Sequence, residues 1–325
     1  MALFLNCTPP ASAVMAIHVE TIANFVVHSL GILLNLAVIL TSFWRGYWKG
    51  RSMKSDFRFM VANLAFADLI SCFGSALLTT MALYYHGPES RLLRKAAAFL
   101  WLSANFLFCL PLLPLVVSRT VAVVCSPPVY ERLFSRGLSL VYCVLSLSLP
   151  FALTFLVERL DNAMGEFLDV GLHVNCEGYL AVRPTRNSLI WQPVTVLVLS
   201  LSQLGLFLLL VTLQLVAVRK LARHAERLAH TPSLQRQRRQ TQTVIYACLL
   251  QTLLPLVCQL PYIVIFTLDV ISSSAVLTPA WLMATLDFVF LLNAAVDPLV
   301  TFVVLRPYRV ALCCLCGRSM TAVGS

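Results

Sequence analysis

The sequence predicts an all-α fold: a bundle of seven transmembrane helices, N-terminus extracellular and C-terminus cytoplasmic. Three observations carry that expectation. Only 12% of the 325 residues are charged and 59% are apolar, where ordinary soluble domains carry about 25% charge. Seven runs are apolar over the roughly 20 residues that a helix needs to cross a bilayer. Lysine and arginine fall unevenly on alternate loops, which sets the direction of threading.

The runs are 21–44, 57–85, 96–124, 137–157, 189–218, 243–268 and 281–305, with an outer segment 1–20 before them and a cytoplasmic tail 306–325 after them. Hydrocarbon offers no hydrogen-bond partners to a backbone, so each run must close its own bonds as a helix. Pro111, Pro114, Pro150, Pro193, Pro255, Pro261 and Pro298 lie inside runs. Each predicts a kink, because proline lacks an N–H and crowds the preceding turn. The first residues have no basic stretch ahead of an apolar core, so the first span is expected to act as its own insertion signal.

Eighteen of the 24 basic residues lie in one set of loops, from Arg45 to Arg58, Arg119 to Arg136, Arg219 to Arg239 and Arg306 to Arg318. That set faces the cytoplasm. Acids gather on the other side, with Glu158, Asp161, Glu166, Asp169 and Glu177 in one long outer loop. The net charge of +10 is therefore a topology signal, and nucleic acid is not an expected partner. Asn6-Cys7-Thr8 is an N-glycosylation acceptor pattern on the outer side, directly followed by Pro9. Cys7 and Cys176 are the clearly extracellular thiols; a disulfide between them is one option that spacing alone does not establish.

An ionisable group inside a span is costly, so it has a partner or a function. Asp68, Asp287 and Asp297 are the acids within the runs. Around them stand Gly31 to Asn35 in span one, Leu64-Ala65-Phe66-Ala67-Asp68 in span two, and Ser118-Arg119-Thr120 with Pro128-x-Tyr130 after span three. Cys258-Gln259-Leu260-Pro261 follows in span six, and Asn293, Asp297-Pro298 and Phe302 in span seven. In order and spacing these resemble the rhodopsin-like G-protein-coupled receptors over the whole chain. Several positions depart from that pattern. Ser118 replaces the acid before the span-three Arg, Thr120 the Tyr after it, Gln259 the span-six Trp, and Thr301 the span-seven Tyr. Arg94 stands where a disulfide Cys is usual. The relaxed motifs, with Tyr130-Glu131-Arg132-Leu133-Phe134 and Arg306-Pro307-Tyr308-Arg309, look similar to nematode serpentine chemoreceptors.

The resemblance implies a receptor that binds an extracellular ligand and activates a heterotrimeric G protein at the plasma membrane, with no enzyme chemistry. It implies that Asn35, Asp68, Asn293 and Asp297 meet near the bundle centre. Two carboxylates at close range cannot both carry full charge unaided. They would share a proton, bind a sodium ion, or form a hydrogen-bonded cluster joining three helices. Phe108 stands where a sodium-binding hydroxyl is usual. The resemblance makes Arg119 a pivot facing the G protein, with Tyr130 on the same side. With Ser118 beside it the resting state would be less well locked. A snorkelling Arg at the interface is the other reading.

Asp287 lies ten residues before Asp297, roughly 15 Å nearer the outside at 1.5 Å per residue. Trp101, Asn105, Tyr262 and Phe266 fall at matching levels, and with Gln259 they outline an aromatic pocket with one acid. The alternatives are a rim ion pair for Asp287 and an interfacial belt or core for the aromatics. Arg219, Lys220, Arg223 and Arg227 continue a helix that suits anionic lipid or an acidic partner. Cys313, Cys314 and Cys316 follow just inside the membrane as candidate palmitoylation sites, and they lack the further thiol or His that zinc would need.

Other classes fit less well. Lys49, Lys54, Lys95 and Lys220 all lie in loops, so no span offers a Schiff-base amine for retinal. The six His show no metal-ligand pairing for a membrane hydrolase. A transporter would show an internal repeat, and the sequence shows none. The relaxed motifs keep a non-signalling scaffold or trafficking protein as the main alternative.

Overall fold

A computed structural model describes residues 11–44, 55–84, 96, 99–100, 103–104, 106–162, 171–174, 180–183, 191–227, 232–272 and 280–315. Its helices are α1 (Ala11–Phe43), α2 (Ser55–Tyr84), α3 (Leu112–Val124), α4 (Pro127–Leu133), α5 (Arg136–Asn162), α6 (Trp191–Arg227), α7 (Pro232–Ser272), α8 (Ala280–Val304) and α9 (Arg306–Leu315). Five stretches are long and apolar enough to cross a bilayer: Thr21–Phe43, Phe57–Leu77, Arg136–Leu156, Ser200–Arg223 and Ile245–Ile265. Phe288–Val304 is a sixth, turned through 95° into Arg306–Cys314. Leu112–Val124 is a shorter apolar helix within the third expected span.

The helices close into a ring. α1 packs on α2 and α8, α8 on α7, α7 on α6, and α6 on α3. α3 also touches α2, α5 and α7, which makes it the central element. Its Leu112, Leu115 and Val116 are fully buried. The outer faces are apolar, with Leu33, Leu40, Leu140, Val144, Leu201 and Leu208 all exposed. Asn35, Ser103, Thr252, Gln259 and Asn293 are completely buried. Apolar side chains outside and polar ones inside are what lipid as solvent selects.

Three features differ from the sequence expectation. α1 begins at Ala11, ten residues before the apolar run, because hydropathy marks the lipid-facing part of a helix and not its end. α6 and α7 run to Arg227 and from Pro232, so most of the basic third inner loop is helical extension. The long outer loop carries a hairpin, β1 (Gly171–Val174) antiparallel to β2 (Leu180–Arg183), with Gly171 opposite Arg183.

At Pro114, Pro298 and Pro307 the structure shows what becomes of the carbonyl that each leaves without a helical donor. Around Pro111 the third span becomes a turn over Phe108–Pro111. Pro114 cannot donate to Leu110 O, and Leu113 N donates there instead at 3.2 Å. Pro298 leaves Ala294 O without its helical donor, and Asn35 Nδ2 donates to it from α1 at 2.9 Å. Pro307 frees Val303 O in the same way, and the Arg309 guanidinium donates to it at 2.8 Å.

Candidate functional site

At the middle of the bundle α1, α2 and α8 come unusually close. A Cβ on Gly31 would lie 2.6 Å from Cys72 Sγ and 3.2 Å from Ala295 Cβ, so only glycine fits without displacement. Asn35, Asp68, Asn293 and Asp297, all buried, lie within four residues of this contact on their own helices. Asp68 and Asp297 interact electrostatically. Asn35 Nδ2 bridges Gly31 O and Ala294 O, each at 2.9 Å. Among the described residues, both oxygens of each carboxylate, both polar atoms of Asn293 and Asn35 Oδ1 have no hydrogen-bond partner. Unsatisfied oxygens of two acids and two amides form a donor set that suits a hard cation.

On the side of this level away from Arg119, Phe108, Phe290 and Tyr262 make an aromatic layer. Phe108 meets Phe290 edge-on at 5.3 Å, and Tyr262 lies 5.1 Å from Phe290. This layer joins spans three, six and seven. Gln259 lies completely buried beside the same span-six turn and accepts a bond from Gln203 Nε2 at 3.0 Å, tying α7 to α6. Its own Nε2 has no partner. Of the other expected pocket residues, Phe266 and Asp287 lie within α7 and α8, with their side chains outside the description. Trp101 and Asn105 lie outside the described residues.

At the inner end, Arg119 is half-buried and its guanidinium sits 4.1 Å above the Phe57 ring of α2. A cation over an aromatic face is held by the ring quadrupole. The guanidinium also lies within electrostatic reach of Cys248 in α7. Ser118, at the position of the missing acid, is completely buried, and its hydroxyl lies 3.4 Å from Tyr130 Oη. Tyr130 itself is buried in α4 and stacks on Phe134 at 5.4 Å. The apolar side of a short loop helix has to cover the end of α3, and Tyr130 falls on that side. Thr301, at the position of the missing Tyr, accepts from Gln251 Nε2 of α7 at 3.0 Å.

The tail helix α9 is amphipathic. Tyr308 and Ala311 are fully buried while Arg306 and Arg309 are exposed. Tyr308 Oη pairs with Ser42 Oγ at 2.9 Å, which fixes α9 to α1. Burial pushes the ionisation of this phenol above the ordinary tyrosine range. Cys313 is half-buried and Cys314 exposed. Cys316, Asn6, Cys7 and Cys176 lie outside the described residues. Among the described residues no group of three His, Cys, Asp or Glu could hold a metal ion.

Sequence reasoning did not find Gln203, Gln251, Phe57, Asn24 or His28. Asn24, His28, Gly31 and Asn35 recur every three or four residues, a one-face spacing that could have drawn attention to the first two. The other three are recognisable only through partners that lie 50 to 62 residues away in sequence.

Comparison with known families matches residues 22–300 to the 7 transmembrane receptor (rhodopsin family). A search of curated proteins found no match. The match covers most of the chain and all seven spans, and the chain belongs to the rhodopsin family of seven-transmembrane receptors.

Proposed function

We propose that the protein is a G-protein-coupled receptor of the plasma membrane, with the chemoreceptor class as its nearest functional type. It converts binding of an extracellular ligand into activation of a heterotrimeric G protein. The observation that carries the reading is Arg119: a half-buried cation at the inner end of the central helix, seated over Phe57 of α2 and close to α7. Outward movement of α7 would uncover it. The ligand would enter above the layer of Phe108, Tyr262 and Phe290, toward Asp287, Trp101, Asn105, Phe266 and Gln259. Ligand energy then has only to favour one of two helix packings over the other.

The site residues would divide the work in three. Asn35, Asp68, Asn293 and Asp297 would hold a sodium ion, whose positive charge balances the paired carboxylates in the resting bundle. Gln259 and Thr301 stand where the family has aromatic switch residues. Their bonds to Gln203 and Gln251 give α7 two polar attachments that a ligand-driven movement has to break. Asn6 would carry a glycan, Cys313, Cys314 and Cys316 would carry palmitate, and Cys7 would pair with Cys176. Basic α6 and α7 extensions would rest on anionic lipid.

The test is a ligand screen in cells that report several second messengers, with Arg119→Ala as control. The expected result is a ligand that raises one messenger in the wild type, with no rise in the variant at equal surface expression. If no ligand class moves any messenger while the wild type reaches the surface normally, the scaffold reading replaces this one.

A further inference from the structure

Two buried polar side chains of α1 belong neither to the central cluster nor to the Arg119 end of the bundle. His28 is 1% exposed, and among the described residues neither ring nitrogen has a hydrogen-bond partner. One turn further out on the same face, Asn24 is 7% exposed and its Oδ1 has no partner either. Both side chains lie in a span, where an unsatisfied polar group is costly. They share the helix face of Gly31, which meets Cys72 of α2 and Ala295 of α8. Counting outward from that contact at 1.5 Å per residue, His28 stands level with Ser75 of α2 and Leu292 of α8. Asn24 stands level with Thr79 and Phe288. The Thr79 hydroxyl donates to Ser75 O at 2.9 Å, so its proton is already engaged.

We propose that His28 and Asn24 form a second ligand site, between spans one, two and seven in the outer half of the bundle, that takes the hydroxyl of a lipophilic alcohol. The orphaned atoms select that chemistry. A neutral imidazole presents one donor and one acceptor, and Asn24 Oδ1 presents a second acceptor. A hydroxyl both donates and accepts, so it satisfies the imidazole N–H and one acceptor together. An ammonium has nothing to accept the imidazole proton with. A carboxylate has nothing to donate to Asn24 Oδ1. The rest of the ligand is hydrocarbon, because nearby Val27 and Phe288 are apolar and the bilayer concentrates such molecules. The site is separate from the pocket proposed on spans three, six and seven, and it does not require the chain to signal.

The test measures binding directly, on the full-length protein in nanodiscs. Thermal unfolding is followed with 1-hexanol, 1-hexylamine and hexanoate, and in a second arm with cholesterol in the disc lipid. The wild type is compared with the double variant His28→Leu/Asn24→Leu, which removes both orphaned groups and keeps the space filled. The expected result is a saturable rise in Tm of a few degrees with an alcohol in the wild type only; whether hexanol or cholesterol produces it identifies the source. Equal responses in wild type and variant, or a specific response to the amine or the acid, overturn the proposal. Should the variant fail to fold, nitrogen-15 NMR of labelled histidines in the wild type decides. A shift confined to one of the six imidazoles on hexanol addition, and abolished in the single variant His28→Leu, supports the site; no shift overturns it.

Discussion

Two buried polar side chains near the Arg119 end of α3 and the acidic cluster at the midplane behave in opposite ways. Ser118 and Thr301, at positions where the family pattern is broken, are satisfied within the protein: Ser118 by Tyr130, and Thr301 by Gln251. At the midplane, Asp68, Asp297 and Asn293 follow the family pattern and have no internal partner. A polar group answered by another side chain is a clasp between helices. One left unanswered under burial awaits something from outside the polypeptide. The same sorting marks His28 and Asn24 as a place for a guest, and Gln259 as a mixed case, bonded through Oε1 to Gln203 while its Nε2 has no partner among the described residues.

The comparison can be broken most directly at the midplane. In sodium chloride rather than potassium chloride the purified wild type should unfold at a higher temperature, by about 2.7 kcal/mol of stability when sodium stands at 100 times its dissociation constant. Asp68→Asn should erase that difference. An unchanged sodium response in the variant would return the cluster to a structural role. Next in size, Gln251→Leu should remove the α7–α8 clasp, lowering stability by ~1–2 kcal/mol and raising basal messenger output. A stable variant with unaltered output would mean the bond is incidental. A double-mutant cycle on Gln203→Leu and Gln259→Leu should give a coupling of about 0.6 kcal/mol, the usual value for a hydrogen bond between membrane helices; zero coupling would show the pair to be independent. The smallest effect is expected at Ser118→Asp. Basal output should fall modestly as an acid joins Phe57 in holding Arg119, and a rise would contradict the role given to Ser118.

Much of the architecture was readable because the solvent argument acts on long runs, and a run of twenty apolar residues averages over individual uncertainties. Asp68 and Asp297 stood out because charged groups are rare in such runs, and the family resemblance grouped them with Asn35 and Asn293. Sequence alone did not show whether those four groups satisfy one another, since that depends on distances between three helices. The same limit hid the clasps. Gln203 and Gln251 are ordinary polar residues until their partners are known, 56 and 50 positions away. The packing of Tyr130 was equally hidden: a seven-residue helix next to α3 has one apolar side, and Tyr130 occupies it.

The bond from Asn35 to Ala294 carries a consequence for inheritance. The carbonyl it fills is vacant only because Pro298 stands four residues later. Exchange of Asn35 alone strands that oxygen, whereas exchange of Pro298 first restores its ordinary donor and makes the amide redundant. The harm done by either change therefore depends on which came earlier, and descendants of this chain can lose the two residues in one sequence of steps more easily than in the other.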